Sequence, residues 1–247
     1  MLVFYGCYSW VRNRFGSAAV DPSVAYENAL GVIRVERALG TYVEPALQDV
    51  VLALPGVVIR FWNLYYGTLH FVVTGAAMVL LFRRAPERYR TYRTTLAVMT
   101  GSALVGFSTF PLMPPRLLAD DGPFGGAPFG GTAFADQFVD TMVTHPTLWS
   151  FSSDTMVAIS NQYAAMPSLH IGWSVWCTAA LLPLAGPRWV RVALWVYAPL
   201  TLVSIVVTAN HYWIDAIGGL AVFACGRGVA EVVRRRRSGS AEVRAAG

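Results

Sequence analysis

A histidine and an aspartate, His211 and Asp215, stand four residues apart between two apolar runs at 194–208 and 216–224. At this spacing two side chains lie on one face of a helix. An aspartate beside a histidine orients the ring, fixes the nitrogen that carries the proton and stabilises the imidazolium ion. Because ionisable groups are costly among hydrocarbon, the pair indicates a functional site. A structural polar contact within a helix bundle is the alternative.

The stretch Met166–His170 carries a proline, a serine and a histidine where a long loop gives way to an apolar run. Proline is favoured in the first turn of a helix, and the free N–H groups and dipole of that turn attract an anion. Ser168 adds a hydroxyl donor beside His170. Arg116, which follows two prolines, adds a planar fork of donors suited to phosphate oxygens. Together these segments predict a phosphate site with two histidines.

These residue types suggest one reaction. His211, oriented by Asp215, attacks the phosphorus of a lipid-borne phosphate and forms a phosphohistidine. His170 protonates the leaving oxygen and then acts as the base for the acceptor. Arg116, Ser168 and the amides at the helix start stabilise charge on the equatorial oxygens. This chemistry requires no metal and no other cofactor, and no carboxylate cluster in the sequence resembles a metal cage.

Composition indicates where this chemistry takes place. The chain of 247 residues is 55% hydrophobic and 13% charged, whereas soluble domains carry about 25% charged residues. We therefore expect an all-α protein, a polytopic membrane helix bundle. The net charge of +5 comes from arginine without any lysine, and anchoring at one membrane face explains it better than nucleic-acid binding. The three cysteines are far apart and form no metal-ligand spacing.

The apolar runs predict about six transmembrane helices. Residues 1–56 hold a half-length apolar run at 2–11 and, at 24–54, charged positions among apolar ones, which favours an interfacial helix or one packed on the bundle. The half-length run after the initial methionine also suggests that the natural start lies upstream. A membrane catalytic core is expected at 57–233 and a basic cytoplasmic tail at 234–247. Full-length spans are expected at 57–82, 95–112, 168–184, 189–208 and 213–233.

The arginines predict the orientation in the membrane. Basic groups at 83–93, 188–191 and 234–237 fall on one side if the spans alternate, and the positive-inside rule makes that side cytoplasmic. The loop 117–165 contains five Asp and no Lys or Arg, and it then lies outside, where so long a loop is typically a lid or a binding element. We therefore expect an active site on the extracytoplasmic face of a bacterial-type plasma membrane. Three candidate residues share this depth: Arg116, His170 and His211.

Further polar side chains lie in the first half of the first span. Asn63, Tyr66 and His70 are spaced three and four residues apart and therefore share one helix face. They either form the polar wall of a substrate cavity or anchor the helix at the membrane interface beside one satisfied histidine. Arg60 from the same span and Tyr163 from the long loop complete the candidate substrate-binding set.

Three short motifs resemble the type-2 phosphatidate phosphatase superfamily. Pro167–His170 and His211–Asp215 are similar to its second and third signatures, and Pro114–Arg116 is similar to the first signature of its inositol phosphorylceramide synthase-like branch. That branch has Leu where ordinary phosphatases have Gly in the second signature, and His-Tyr-x-x-Asp in the third. The resemblance covers about residues 57–230 and implies a six-helix membrane core with a histidine nucleophile, a second histidine as acid and base, and an aspartate behind the nucleophile. These roles correspond to His211, His170 and Asp215.

The chain departs from the superfamily pattern at two basic positions. Phosphatases of the superfamily begin the first signature with lysine, which this chain lacks, and open the third with Ser-Arg, where this chain has Ser204 and Ile205. Arg116 must then compensate more of the negative charge of the phosphate, and Arg60 is a candidate for a second cationic contact. An oxygen-rich donor such as phosphoinositol could also use the nearby polar side chains. These departures favour a phosphotransferase over a plain phosphatase.

Three functions are therefore considered. The first is a lipid phosphotransferase that moves a phosphoryl head group, with phosphoinositol as a candidate, between lipids. The second is a lipid or polyprenyl phosphate phosphatase that uses water as the acceptor, and the third is a non-catalytic membrane protein. The expected partners are a phospholipid substrate and a lipid or alcohol acceptor within the membrane, without nucleic acid. The sequence does not determine the donor, the acceptor or the oligomeric state.

Overall fold

The computed structural model describes residues 19–147 and 161–246, with Gly6 and Arg14 singly, and for 238–246 the backbone alone. These residues form helices and turns with one isolated bridge, so the predicted all-α membrane bundle is confirmed. The apolar run predicted at 2–11 and part of the long loop lie outside the described residues. The α-helices are α1 (Pro22–Ala38), α2 (Glu44–Leu52), α3 (Gly56–Leu64), α4 (His70–Arg84), α5 (Pro86–Thr109), α6 (Thr141–Thr144), α7 (Leu169–Leu181), α8 (Arg188–Val207) and α9 (Asp215–Ala246).

Short non-α turns complete these elements. A π-helical turn, Tyr65–Leu69, joins α3 to α4, so that Gly56–Arg84 is one continuous rod. A 3₁₀ turn at Leu182–Leu184 extends α7. Three further 3₁₀ turns fold the described part of the long loop: Pro115–Leu117, Ala127–Phe129 and Gly131–Phe134.

Among the residues that the structure describes, three helical segments are long and apolar enough to cross a membrane: Gly56–Arg84, Arg188–Val207 and Asp215–Arg237. They agree with three of the predicted spans. The shorter apolar segment Leu169–Leu184 agrees with a fourth. α9 continues without a break through the arginines at 234–237, which the sequence analysis had assigned to a separate tail.

α5 corrects one feature of the predicted topology. It begins at Pro86, and Ala85 alone separates it from α4, so the basic loop predicted at 83–93 is wrong. Proline suits the first turn of a helix because its missing N–H has no helical partner there. The arginines of this segment therefore lie on two helix ends. The span predicted at 95–112 is the less polar second half of α5, which ends at Thr109.

α9 packs closely against α5 and α7 through glycine. A Cβ atom at Gly226 would lie 2.6 Å from the carbonyl oxygen of Thr95, and one at Gly219 would lie 2.4 Å from that of Ser168. Small residues allow helix backbones to approach this closely within membranes. As a result, the first turns of α7 and α9 lie side by side.

The N-terminal segment folds as two helices rather than the single interfacial helix predicted. Gly40, with a left-handed φ of 69°, separates α1 from α2. The α1 side chains Ala25, Tyr26 and Ala29 share a core cluster with buried residues of the folded loop and with Tyr212. This arrangement matches the alternative in which the segment packs on the bundle.

Candidate active site

His211 and Asp215 are joined by a turn that precedes α9. His211 Nδ1 lies 3.1 Å from Asp215 Oδ2, and the same oxygen accepts the N–H of Tyr212 at 3.1 Å. α8 ends at Val207 and α9 begins at Asp215, so the predicted shared helix face is wrong although the contact itself is present. A carboxylate that accepts from the Nδ1–H leaves the Nε2 atom of the ring with its lone pair.

His170 lies in the first turn of α7 and faces His211. The centroids of the two rings are 5.4 Å apart, with the ring planes at 73°. The N–H of Ser168 donates to the carbonyl oxygen of Asp215 at 3.1 Å and so ties the two segments together. Groups that act on one phosphorus atom must lie within a few ångströms of it, and this spacing allows both rings to do so.

A third histidine joins the first two. The centroid of the His70 ring lies 4.2 Å from that of the His170 ring. The ring of Tyr66 also stacks on the His170 ring, with the centroids 4.4 Å apart. His70 Nδ1 is 3.0 Å from the carbonyl oxygen of Tyr66. Tyr66 lies within the π-helical turn Tyr65–Leu69 and His70 directly follows it, and such turns are frequent at functional sites. Three of the four histidines of the chain thus meet in one cluster.

Arg116 is held by side chains from three segments. Its Nε donates to Asn210 Oδ1 at 3.0 Å, one terminal nitrogen to Asp140 Oδ2 at 3.0 Å, and the other to Gln162 Oε1 at 2.6 Å. Asn210 is the residue before His211, so the predicted cationic group lies beside the histidine turn. Asp140 was not predicted, and it neutralises the charge of Arg116. An aspartate in an acidic loop gives no sequence signal for such a pairing.

Ser168 lies at the N-cap position of α7 with its side chain fully buried. Within the described parts of the chain, its hydroxyl makes no hydrogen bond. A buried hydroxyl without a partner is costly. A bound anion at the helix start would supply the missing partner, as the sequence predicts.

The remaining candidates have other contacts. The Asn63 amide donates to the carbonyl oxygens of Thr141 and His145, at 2.8 and 2.9 Å, and thereby anchors α6. Tyr163 is fully buried, and its hydroxyl donates to the carbonyl oxygen of Phe124 at 3.1 Å. Arg60 lies exposed on α3. The substrate contacts expected of Asn63, Tyr163 and Arg60 stay predictions.

Two glutamates at the site were missed by the sequence analysis. Glu44 Oε1 accepts the N–H of Trp213 at 3.0 Å, and Glu36 Oε1 accepts that of Ile214 at 3.3 Å. Both side chains are fully buried. Burial and the nearby Glu44 raise the pKa of Glu36 to about 9, from an ordinary value of 4.5. The two carboxyl groups therefore fasten the turn that connects His211 to Asp215.

A sequence signal for Glu36 existed. It continues the buried stripe of α1 formed by Ala25, Ala29 and Val32, at spacings of three and four residues. A glutamate on the apolar face of a helix indicates a buried partner. The charged positions at 24–54 predict an interfacial helix or one packed on the bundle, without a partner for Glu36.

Within residues 19–147 and 161–246, no group of three or more His, Cys, Asp or Glu side chains is placed to hold a metal ion. The prediction of metal-free chemistry stays a prediction.

The fold and the histidine cluster define an all-α membrane protein with an enclosed polar site at one end. The family model of the PAP2 superfamily matches residues 30–228, and the chain belongs to that superfamily. The match begins within α1, earlier than the resemblance seen in the motifs alone. Neither a curated protein nor a solved structure matches the chain. Membership supports an enzyme of the lipid phosphatase or phosphotransferase type in broad terms.

Proposed function

We propose that this protein is a membrane lipid phosphotransferase of the inositol phosphorylceramide synthase-like branch. It moves a phosphoryl head group, with phosphoinositol as the leading candidate, between lipids through a phosphohistidine. The observation that carries the proposal is the pairing of His170 and His211, 5.4 Å apart, with Asp215 behind His211. The buried hydroxyl of Ser168, which has no hydrogen-bond partner among the described residues, supports an anion at this point.

The reaction proceeds in two displacements. Asp215 holds the Nδ1–H of His211, so Nε2 attacks phosphorus, and a P–N bond forms as the P–O bond to the leaving alcohol breaks. His170 gives its proton to the leaving oxygen and later takes a proton from the acceptor hydroxyl. That acceptor oxygen then attacks phosphorus and releases His211. The carboxylate of Asp215 stabilises the positive charge on the His211 ring in both steps.

The charge of the site supports a phosphodiester donor. A phosphomonoester carries a charge of about −1.5 to −2 at neutral pH, whereas a phosphodiester carries a single negative charge. Arg116 is already neutralised by Asp140 at 3.0 Å, and the chain contains no lysine to add positive charge. A site of this kind favours the monoanion of a head-group diester over the dianion of a lipid phosphate.

We infer that the site lies at the extracytoplasmic face. α9 runs without a break from Asp215 to the arginines at 234–237. At 1.5 Å per residue this distance is about 30 Å, the thickness of a bilayer core. The positive-inside rule assigns the arginine end to the cytoplasm, which leaves Asp215 and His211 at the opposite face.

Membership of the PAP2 superfamily also favours a second candidate, a lipid phosphate phosphatase. It would use the same covalent step with water as the acceptor. Purified protein in liposomes, given phosphatidylinositol with a labelled phosphate and a lipid alcohol, separates the candidates. We expect labelled protein after acid-free quenching and label in a new lipid. Release of the label to water alone would favour the phosphatase, and the absence of both labelled protein and product would overturn an enzymatic function.

A further inference from the structure

We propose that Glu36 and Glu44 are positioning residues for His211, which act as one carboxyl pair that shares a proton and holds the turn between His211 and Asp215. The inference rests on the proposed role of His211 as the nucleophile. It adds α1 and α2, which precede the first predicted span, to the elements that build the site.

The contacts lie at the start of α9. The first N–H groups of a helix have no helical partner, and the helix dipole favours negative groups beside them. Here the N–H groups of Trp213 and Ile214 donate to Glu44 and Glu36, at 3.0 and 3.3 Å. Each glutamate comes from a different helix, so the turn is fixed from two directions. The turn in turn fixes His211 relative to Asp215.

The remaining oxygens of the pair require one proton. The Oε2 atoms of Glu36 and Glu44 are buried, and across the described ranges neither has a hydrogen-bond donor. Glu44 raises the pKa of Glu36 through its charge and through a side-chain hydrogen bond. Two carboxylates in this position would repel each other, whereas a single proton between the Oε2 atoms satisfies both. It also keeps the local charge lower, so that Asp215 can stay ionised beside His211.

The surroundings of the pair leave this proton in place at neutral pH. Burial, then Glu44 and more weakly Asp215, raise the pKa of Glu36 to about 9 against the lowering effect of the Ile214 N–H. Other titratable and charged groups also face the pair from the elements packed against it: Tyr42, Tyr212, Asp215 and Arg37. His211 lies behind Asp215, and the guanidinium group of Arg37 lies 4.8 Å from the centroid of the Tyr42 ring. The shared proton is therefore lost in alkaline solution.

Glutamine substitutions test the proton count. In Glu36→Gln the side-chain oxygen can still accept from Ile214, and the amide can donate to the Glu44 carboxylate, which mimics the protonated state. We expect kcat within about threefold of the wild type. In the wild type kcat should fall as the shared proton is lost around pH 9, and in the variant this fall should be absent. Glu44→Gln should behave in the same way. In the double variant two amide nitrogens face each other without an acceptor, so kcat should fall more than about tenfold with little change in KM.

Glu27, exposed on the same helix as Glu36, supplies the matched control. Glu27→Gln should leave kcat and the dependence of kcat on pH in alkaline solution unchanged. If either single variant loses as much kcat as the double variant, the two glutamates do not share a proton. Two ionised carboxylates that hold the turn by their negative charge would then explain the contacts. The single variants retain the hydrogen bonds to the turn, so they test the inference even if the double variant fails to fold.

Infrared spectroscopy provides a test that requires no activity. The intact protein in lipid should show the C=O stretch of a protonated carboxyl at neutral pH, and this band should vanish as the pH passes about 9. The Glu27→Gln protein should keep the band, whereas Glu36→Gln and Glu44→Gln should lack it. A wild-type spectrum without a band that depends on either glutamate overturns the inference. A band with these properties in a protein without turnover would support the pair and count against the proposed function alone.

Discussion

The backbone N–H of Ser168 donates to the backbone carbonyl of Asp215 at 3.1 Å. This bond links the start of α7 to the start of α9, and therefore the segment that carries His170 to the one that carries His211. Because it is made by backbone atoms, it fixes the distance between the two segments independently of side-chain rotamers. The close approach at Gly219, beside Ser168, makes the bond possible.

Removing His211 should abolish turnover, whereas removing His170 should slow it strongly. His211→Ala should form no labelled phosphoenzyme, because the attacking Nε2 is absent. His170→Ala should form it more slowly by about 10²–10⁴-fold, the usual contribution of general acid catalysis. Rapid-quench labelling with phosphatidylinositol measures both. His145→Gln, which changes the histidine outside the cluster, should retain activity, and normal labelling of His211→Ala would contradict the assignment.

Asp215→Asn should lower kcat without unfolding the protein. The amide can still accept a hydrogen bond but cannot stabilise the imidazolium by charge, and the analogous loss elsewhere reaches about 10⁴-fold. Turnover and thermal unfolding in detergent should be measured on the same preparation. An Asn variant with wild-type kcat would show that the carboxylate acts as a structural contact.

Gly219→Ala should destabilise the protein and reduce activity. Its Cβ would lie 2.4 Å from the carbonyl oxygen of Ser168, and such overpacking typically costs about 1–3 kcal/mol. Gly228→Ala is the matched control on the same helix, because a Cβ there meets nothing within 4 Å. Alanine is more stable than glycine in the interior of a helix, so the control substitution should be neutral or slightly stabilising. Equal melting temperatures of the two variants would argue against close packing at Gly219.

Asp140→Asn should change the substrate preference. The substitution removes the negative charge that neutralises Arg116 while an oxygen remains to cap α6. We therefore expect kcat/KM for a lipid phosphate monoester to rise relative to that for a phosphodiester, by about tenfold. The measurement is competition between the two substrates in mixed micelles. Asp136→Asn, at an exposed position of the same loop, should leave the ratio unchanged.

The stability of the wild type should depend on pH through Glu36. Its pKa is raised in the folded state to about 9, from 4.5. A raised pKa means that the folded protein holds the proton more tightly than the unfolded chain does. The stabilising contribution is thus complete below pH 4.5 and is lost as the pH rises towards about 9. Melting curves across this range should show a decline that is weaker in Glu36→Gln, and parallel curves would contradict it.

The residues predicted from motifs were those whose chemistry is local. His170, His211 and Asp215 meet as expected because each stands at a helix start or in a turn next to an apolar run. Tyr66 and His70 follow from spacing along one helix, and both rings join His170. Short-range patterns identify these side chains, and the packing of the helices brings them together.

The residues that were missed depend on partners far away in the chain. Glu36 and Glu44 accept the N–H groups of Ile214 and Trp213, and no local pattern names these partners, although the helical stripe of α1 marks Glu36 as buried. The loop predicted at 83–93 failed for a different reason, since arginines do not interrupt a helix and Ala85 alone breaks it.

α9 is one unbroken helix that connects Asp215, beside His211, to the arginines at 234–237. Arginines at the end of a membrane span typically lie at the level of the lipid phosphates. The height of the opposite end is then set by the length and tilt of one helix. Bilayers of different thickness should raise or lower the imidazoles relative to the surrounding head groups, so lipid chain length becomes a determinant of catalytic rate.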